Sequence, residues 1–183
     1  MLSQRSHYAL RALLVLAVHG NGKPMRIAHI AREAKVSAKF LEVIMLKLRK
    51  AGLLKIYRGC NGGAVLGRAP EEISFADIVT VTDGSLALSG CASEISHTRC
   101  NDCYDEAYCE IRRALISARD ATVDILKSYD LATVTRRMQE TGHTDIDTCI
   151  TALDPWQAPK GQSGKRLPIN PPIENTVSRL SES

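Results

Sequence analysis

The stretch that decides the fold is residues 27–66, IAHIAREAKVSAKFLEVIMLKLRKAGLLKIYRGCNGGAVL. Its first half predicts two short helices, over residues 26–34 and 38–51, joined by a tight turn that ends at Ser37. Serine is a common N-cap residue, so Ser37 is expected to cap the second helix. That helix has an apolar face (Leu41, Ile44, Met45, Leu48) and a basic face (Lys39, Lys47, Arg49, Lys50). Two such helices in succession are typical of a helix-turn-helix.

Directly after these helices the hydrophobic pattern changes from helix to strand. Residues 54–57 suit one strand and residues 64–66 a returning strand, and Asn61-Gly62 supplies the positive φ angles that a tight hairpin turn requires. A hairpin at this place is the wing of a winged helix. Arg58 and Arg68 flank the turn, where a phosphate backbone or a minor groove would lie.

The remaining segments predict a mainly α-helical chain. A first helix over residues 6–19 completes a winged helix-turn-helix domain in residues 1–70, with its β-hairpin wing. The segments that follow are a connecting helix from Ile73 to Val81 within 71–88, a cysteine-rich loop in 89–108, two C-terminal helices in 109–140, and a polar tail in 141–183 that we expect to be disordered. The long C-terminal helix runs from about Cys109 to Tyr129, with Arg112, Arg113, Arg119 and Asp120 around its apolar stripe, and the shorter one runs from Leu131 to Glu140.

Charge is distributed unevenly along the 183 residues. Up to Pro70 there are 13 Lys and Arg residues against two acidic ones, whereas the rest of the chain has 11 basic and 18 acidic residues. A basic first third predicts a polyanion as partner, although an ordinary solvated basic face is the alternative. No apolar run is long enough to span a bilayer and no signal peptide is recognisable, so we expect a cytoplasmic protein without membrane contact.

Four of the six cysteines fall close together, in the pattern Cys91-x8-Cys100-x2-Cys103-x5-Cys109. In a reducing compartment clustered thiols more often hold a metal than form disulfides. Thiolates suit an iron–sulfur cluster or a zinc ion, and the spacing alone does not choose between them. Cys109 would begin a helix, where the positive end of the helix dipole favours the thiolate.

The chain resembles the Rrf-two family of bacterial winged-helix regulators, which includes the iron–sulfur sensors IscR and NsrR. The stretches that carry the resemblance are HYALRAL (7–13), IAHIA (27–31), FLE (40–42), LKLRKAGL (46–53), RGCNGGA (58–64) and PEEI (70–73). Together they extend the resemblance from about residue 2 to residue 138. The tail beyond residue 146 matches nothing in the family pattern.

For DNA, the resemblance implies a symmetric homodimer that binds a double-stranded operator, with the long helix from Cys109 as the dimer seam. The second helix of the helix-turn-helix would enter the major groove. The resemblance places Ser37, Lys39, Phe40 and Glu42 near base edges, Lys39, Lys47 and Arg49 on phosphates, and Arg58 in the minor groove. For Phe40 the alternative is packing against the first helix, and for Glu42 a position facing solvent. A glutamate at a base edge can accept a hydrogen bond from cytosine.

For the cysteine loop, the resemblance implies one [2Fe–2S] or [4Fe–4S] cluster per subunit, held by three cysteines of which the last two are separated by five intervening residues, as Cys103 and Cys109 are. Whether Cys91 or Cys100 is the third ligand stays open. In the nitric-oxide sensor of the family the first helix of the other subunit completes the site, and His7 holds that place here. A surface histidine is the alternative for His7.

These features predict a dimeric DNA-binding transcriptional regulator, a repressor, whose operator affinity is switched by an iron–sulfur cluster that senses iron, redox state or nitric oxide. The alternative is a repressor of the same fold that uses a zinc ion or cysteine oxidation as its switch. An enzyme is not expected, because no phosphate-binding glycine loop, catalytic triad or paired-carboxylate arrangement is present.

Overall fold

The computed structural model describes residues 2–59 and 62–141, and the predicted tail from residue 142 onward lies outside them, as do Cys60 and Asn61 of the predicted wing turn. The helices are α1 (Gln4–His19), α2 (Ile27–Glu33), α3 (Ala38–Lys50), α4 (Phe75–Asp83), α5 (Glu110–Lys127) and α6 (Leu131–Glu140). The strands β1 (Leu54–Tyr57) and β2 (Gly63–Leu66) form an antiparallel hairpin. One-turn 3-10 helices occupy Pro70–Glu72 and Gly90–Ala92. None of the described helices is long and apolar enough to cross a membrane.

Helix α1 lies at the centre of the fold. It begins at Gln4, two residues before the predicted start, because Ser3 caps it and accepts a hydrogen bond from the backbone N–H of Ser6. Its residues 12–16 are all buried, as expected for a helix that is enclosed on most sides. It contacts α2, α3, α4 and α6, so the winged helix and the C-terminal helices share one core.

The turn between α2 and α3 is held by its backbone. Lys35 has a positive φ of 51°, and the N–H of Val36 donates to the carbonyl of Ala31 at 2.9 Å. Ser37 occupies the N-cap position of α3, but its side chain makes no capping hydrogen bond, contrary to the prediction. The predicted apolar face of α3 is buried in full, with Leu41, Ile44, Met45 and Leu48 at 2% exposure or less.

The hairpin is fixed by its register and by a third segment. Leu54 pairs with Leu66 and Tyr57 with Gly63. Met25, in the link between α1 and α2, exchanges backbone hydrogen bonds with Ala64 at 3.0 and 2.8 Å. Gly63 permits this approach, since a Cβ at that position would lie 2.5 Å from the backbone oxygen of Met25.

The C-terminal helices return to the core. A capping box between Ser74 and Asp77 starts α4 at Phe75, two residues after the predicted start at Ile73. The N–H of Leu131, at the start of α6, donates to the carbonyl of Ile73 at 3.1 Å, and the Leu131 side chain is fully buried. Helix α6 is thereby packed against α1, and its bounds agree with the prediction.

A polar contact ties the start of α1 to the end of α4. The carboxylate of Asp83 accepts hydrogen bonds from the backbone N–H of Ser3, at 2.8 Å, and from its hydroxyl. The hydroxyls of Ser6 and Thr82 form a buried hydrogen bond beside it. Burial raises the pKa of Asp83, but the hydrogen bonds from Ser3 and Ser6 outweigh burial and hold this pKa below its ordinary value.

The substitution Asp83→Asn is therefore expected to lower the free energy of unfolding at pH 7 by about 0.5–1 kcal/mol, the range of a partly exposed helix-end hydrogen bond. A carboxyl group with a lowered folded-state pKa stabilises the protein above its unfolded-state pKa and loses this contribution as the pH falls through the folded-state value. The difference between wild type and variant should thus narrow below about pH 4 in urea denaturation experiments. A difference that stays constant with pH would contradict this assignment.

Candidate DNA interface and cysteine loop

Helix α3 presents a basic, exposed face opposite its buried one. The side chains that the resemblance assigns to DNA all lie exposed on α3, at its N-cap or at the end of β1: Ser37, Lys39, Phe40, Glu42, Lys47, Arg49 and Arg58. Within the part of the chain that the structure describes, Lys39, Lys47 and Arg49 have no carboxylate at salt-bridge distance, so their charges are available to a phosphate backbone.

Two residues of this region have a structural role as well. The Phe40 ring meets the ring of Tyr8 in α1 edge to face, with 5.6 Å between ring centroids, yet Phe40 remains 39% exposed. It therefore packs against the first helix and still reaches the surface. Arg68 donates from Nη2 to the carbonyl of Ala51 at 3.1 Å, which satisfies the C-terminal end of α3. Arg58, which directly follows β1, is exposed.

The cysteine loop brings two of its thiols into contact. Cys91, in the 3-10 turn, is buried, and its Sγ lies 3.4 Å from the Ser89 hydroxyl. The hydrogen bond with Ser89 lowers the pKa of Cys91, and a further hydrogen bond links Cys91 to Cys100. The same contact with Cys91 raises the pKa of Cys100.

The other two cysteines lie at defined positions in the backbone. The N–H of Cys103 donates to the carbonyl of Cys100 at 3.2 Å, so these two residues share one turn, and Arg99 binds the carbonyl of Cys103 at 2.9 Å. Cys109 is the N-cap of α5, and its Sγ accepts a hydrogen bond from the N–H of Arg112 at 3.4 Å. The prediction that Cys109 precedes the long helix is confirmed.

The side chains of this loop include the donor atoms that a metal cluster needs, although in the structure these donor atoms do not surround a common point. Among residues 2–59 and 62–141, no three Cys, His, Asp or Glu side chains form a group that could hold a metal, and His7, exposed on α1, joins none. Within the loop, His97 pairs with Glu106 at 3.2 Å. The second carboxylate oxygen of Glu106 is buried and has no hydrogen-bond partner among the residues that the structure describes. Four thiols within one loop nevertheless match the ligands that soft metal centres prefer.

Two arginines bind the cysteine loop to α5. Arg112 donates from Nε to the carbonyl of Cys91 at 2.8 Å. Arg119, buried in α5, donates to the carbonyl of Ala92 and forms an ion pair with Glu94 at 2.9 Å. Sequence reasoning placed both arginines merely around the apolar stripe of the helix. Their spacing of seven residues puts them on one helix face, and that spacing was the signal available.

A second face of α5, about 90° around the helix from Arg112 and Arg119, is apolar and exposed. Ile111 is 73% exposed and Ile125 55% exposed, and Ala118 and Thr122 between them are exposed too. With the half-buried Leu115 they recur at intervals of three and four residues, the spacing of a helix-packing seam. Large exposed apolar residues along one helix are typical of an interaction surface.

A family model described as an iron-dependent transcriptional regulator, Rrf2, matches residues 2–137. The chain belongs to the Rrf2 family. The regulator NsrR of Geobacillus kaustophilus is 34% identical over 131 residues, which cover 72% of this chain and 86% of that protein. Among solved structures, T. potens IscR gives a TM-score of 0.62 at 28% identity, covering 77% of this chain and 90% of that one. CymR, the global cysteine regulator of B. subtilis, gives 0.60 at 29% identity, with 75% and 97% covered.

This membership confirms three expectations. The Rrf2 regulators are winged-helix proteins, as predicted for this chain. They are DNA-binding transcriptional regulators, and so is this member of the family. They are not enzymes, in agreement with the absence of catalytic motifs from the sequence.

The substitution Arg119→Ala should release the cysteine loop from α5. It leaves the carbonyl of Ala92 without its donor, at a cost of about 1–3 kcal/mol in the free energy of unfolding. We expect faster cleavage between residues 89 and 108 in limited proteolysis, together with a lower unfolding midpoint. Arg113→Ala is the matched control, because the Arg113 side chain pairs with Glu110, at 2.8 Å on the exposed surface of the same helix. Equal proteolysis of the two variants would contradict the anchoring role of Arg119.

Proposed function

We propose that this Rrf2 regulator is a homodimeric repressor whose affinity for a double-stranded operator is switched by an iron–sulfur cluster held by the cysteine loop. The observation that carries the proposal is the anchoring of the loop to α5 by Arg112 and Arg119. This anchoring joins the candidate sensor to the helix whose second face is a candidate dimer seam.

On the DNA side, α3 enters the major groove with Ser37, Phe40 and Glu42 near base edges. Lys39, Lys47 and Arg49 bind phosphates along the same helix, and Arg58 reaches the adjacent minor groove from the wing. The support is their common exposure on one side of the winged helix, together with the strong excess of basic over acidic residues up to Pro70. Phosphate contacts set the register and base contacts provide the specificity.

The dimer forms through the exposed face of α5. Ile111, Leu115, Ala118, Thr122 and Ile125 of one protomer pack against the same residues of a second copy, as an isologous two-fold interface requires. The relative angle of the two α5 helices then determines how far apart the two α3 helices lie. An operator of fixed half-site spacing is sensitive to that distance.

At the sensor, Cys103 and Cys109 with Cys91 or Cys100 would hold one [2Fe–2S] or [4Fe–4S] cluster per subunit, and His7 of a second copy would complete the site. When bound, such a cluster supplies chemistry that responds to iron supply, redox state or nitric oxide. The residues of the chain transmit the state of the loop: Cys109 caps α5, and Arg112 and Arg119 hold the carbonyls of residues 91 and 92. A change of loop conformation therefore changes the contacts that position α5.

A second candidate switch is favoured by the contact between Cys91 and Cys100. These two thiols can join as a disulfide, with two electrons and two protons passing to a peroxide that is reduced to water. A zinc ion on the four thiols is the remaining form of the alternative.

The test is an absorption spectrum of the full-length protein purified without oxygen, with iron and sulfide counts. The proposal predicts a coloured protein with broad bands between roughly 320 and 460 nm, from thiolate-to-iron charge transfer. Cys103→Ser and Cys109→Ser should abolish the colour, whereas Cys60→Ser and Cys149→Ser, outside the loop, should keep it. A colourless protein with stoichiometric zinc, or a metal-free protein that forms a Cys91–Cys100 disulfide, would contradict the cluster and support the second switch.

A further inference from the structure

The exposed face of α3 includes a strip of apolar side chains, which contribute neither charge for phosphate binding nor solubility. Phe40 is 39% exposed, Val43 58% and Leu46 47%. Valine is a poorer helix former than alanine, lysine or glutamine, so an exposed valine in mid-helix does not serve helix stability. Val43 is also the most exposed of the three, and in the described residues no neighbouring element covers it.

Basic side chains surround this strip. Lys39 and Lys50 lie on the same helix face as Val43, at intervals of four and seven residues. A shallow depression next to Val43 is lined by Arg5, Phe40 and Lys47 as well. An apolar spot within a basic face is complementary to a polyanion that carries small apolar groups. In the major groove of DNA that group is the C5-methyl of thymine.

Of the three residues of the strip, Val43 is the best placed along the helix to contact a base. The Phe40 ring is held against Tyr8 of α1, which limits its reach. Leu46 lies one turn nearer the C-terminal end, level with the phosphate-binding candidates Lys47 and Arg49. Val43 lies in the N-terminal half, the part of a recognition helix that contacts base edges.

We propose that Val43 is a specificity-determining residue that packs against the C5-methyl of one thymine in each operator half-site. The inference rests on the proposed entry of α3 into the major groove. Glu42, about 100° away around the helix, would face a different base pair. Its carboxylate selects cytosine, while Val43 selects thymine, so two neighbouring positions of α3 distinguish two different pyrimidines.

The test begins with an operator selected from random double-stranded DNA by the full-length protein. Each thymine is then replaced singly by uracil, which removes only the methyl group, and Kd is measured by fluorescence anisotropy. One thymine position per half-site should show a loss of about fourfold, the value of one buried methyl group. In Val43→Ala the thymine and uracil operators should bind equally. Val43→Ile should retain the preference for thymine.

Leu46→Ala is the matched control, because it shortens another exposed apolar side chain of the same helix and should leave the uracil effect at this position unchanged. A uracil effect that persists in Val43→Ala would overturn the assignment, as would a wild-type protein insensitive to uracil at every position. Both outcomes leave the proposed function intact, since selective operator binding is still observed. Absence of any sequence-selective binding would instead overturn the proposed function and the inference with it.

Discussion

The burial of α1 is the constraint on which the rest of the structure depends. Its residues 12–16 face the core on every side, with exposures of 6% or less. Because α2 and α3 pack on it from one direction and α4 and α6 from others, the DNA-binding elements and the C-terminal helices share a single core. Since a close-packed core does not deform gradually, a displacement of the C-terminal helices would be expected to move the winged helix with them as a rigid unit.

Helix α5 differs from the other helices in how little of it is buried. Only Arg119 is buried among its residues, and this arginine binds the cysteine loop. One face of α5 thus holds the loop through Arg112 and Arg119, and a second face presents Ile111 and Ile125 to solvent. A helix with two such faces is suited to link the state of a loop to the geometry of a dimer, which is the kind of coupling that regulation requires.

Most of the fold follows from local pattern. The apolar face of α3, the two strands of the hairpin and α6 were all predictable, because hydrophobic periodicity determines them directly. The turn was not predicted correctly: among its described residues Gly59 has a positive φ of 109°, whereas Gly62, for which a positive φ was predicted, does not. The structure differs from the sequence-based prediction at positions whose conformation depends on tertiary contacts. The Ser37 side chain makes no capping bond, α4 begins at Phe75 because Asp77 completes a capping box, and Arg68 donates a hydrogen bond to the carbonyl of Ala51 at the end of α3. At the candidate site, the cysteines could be identified from their spacing in the sequence. The roles of Arg112 and Arg119 could not, because they depend on which backbone carbonyls of the cysteine loop lie next to α5.

The most direct test compares the operator Kd of the full-length protein purified with its proposed iron–sulfur cluster with the Kd of the same protein after treatment with a chelator without oxygen. We expect the two Kd values to differ by about tenfold or more, as coupling between the loop and the DNA-binding elements requires. We also expect Arg119→Ala to reduce this difference greatly and Arg113→Ala to preserve it. Equal Kd values for the two forms of the wild-type protein would contradict the claim that the cysteine loop controls DNA binding through α5.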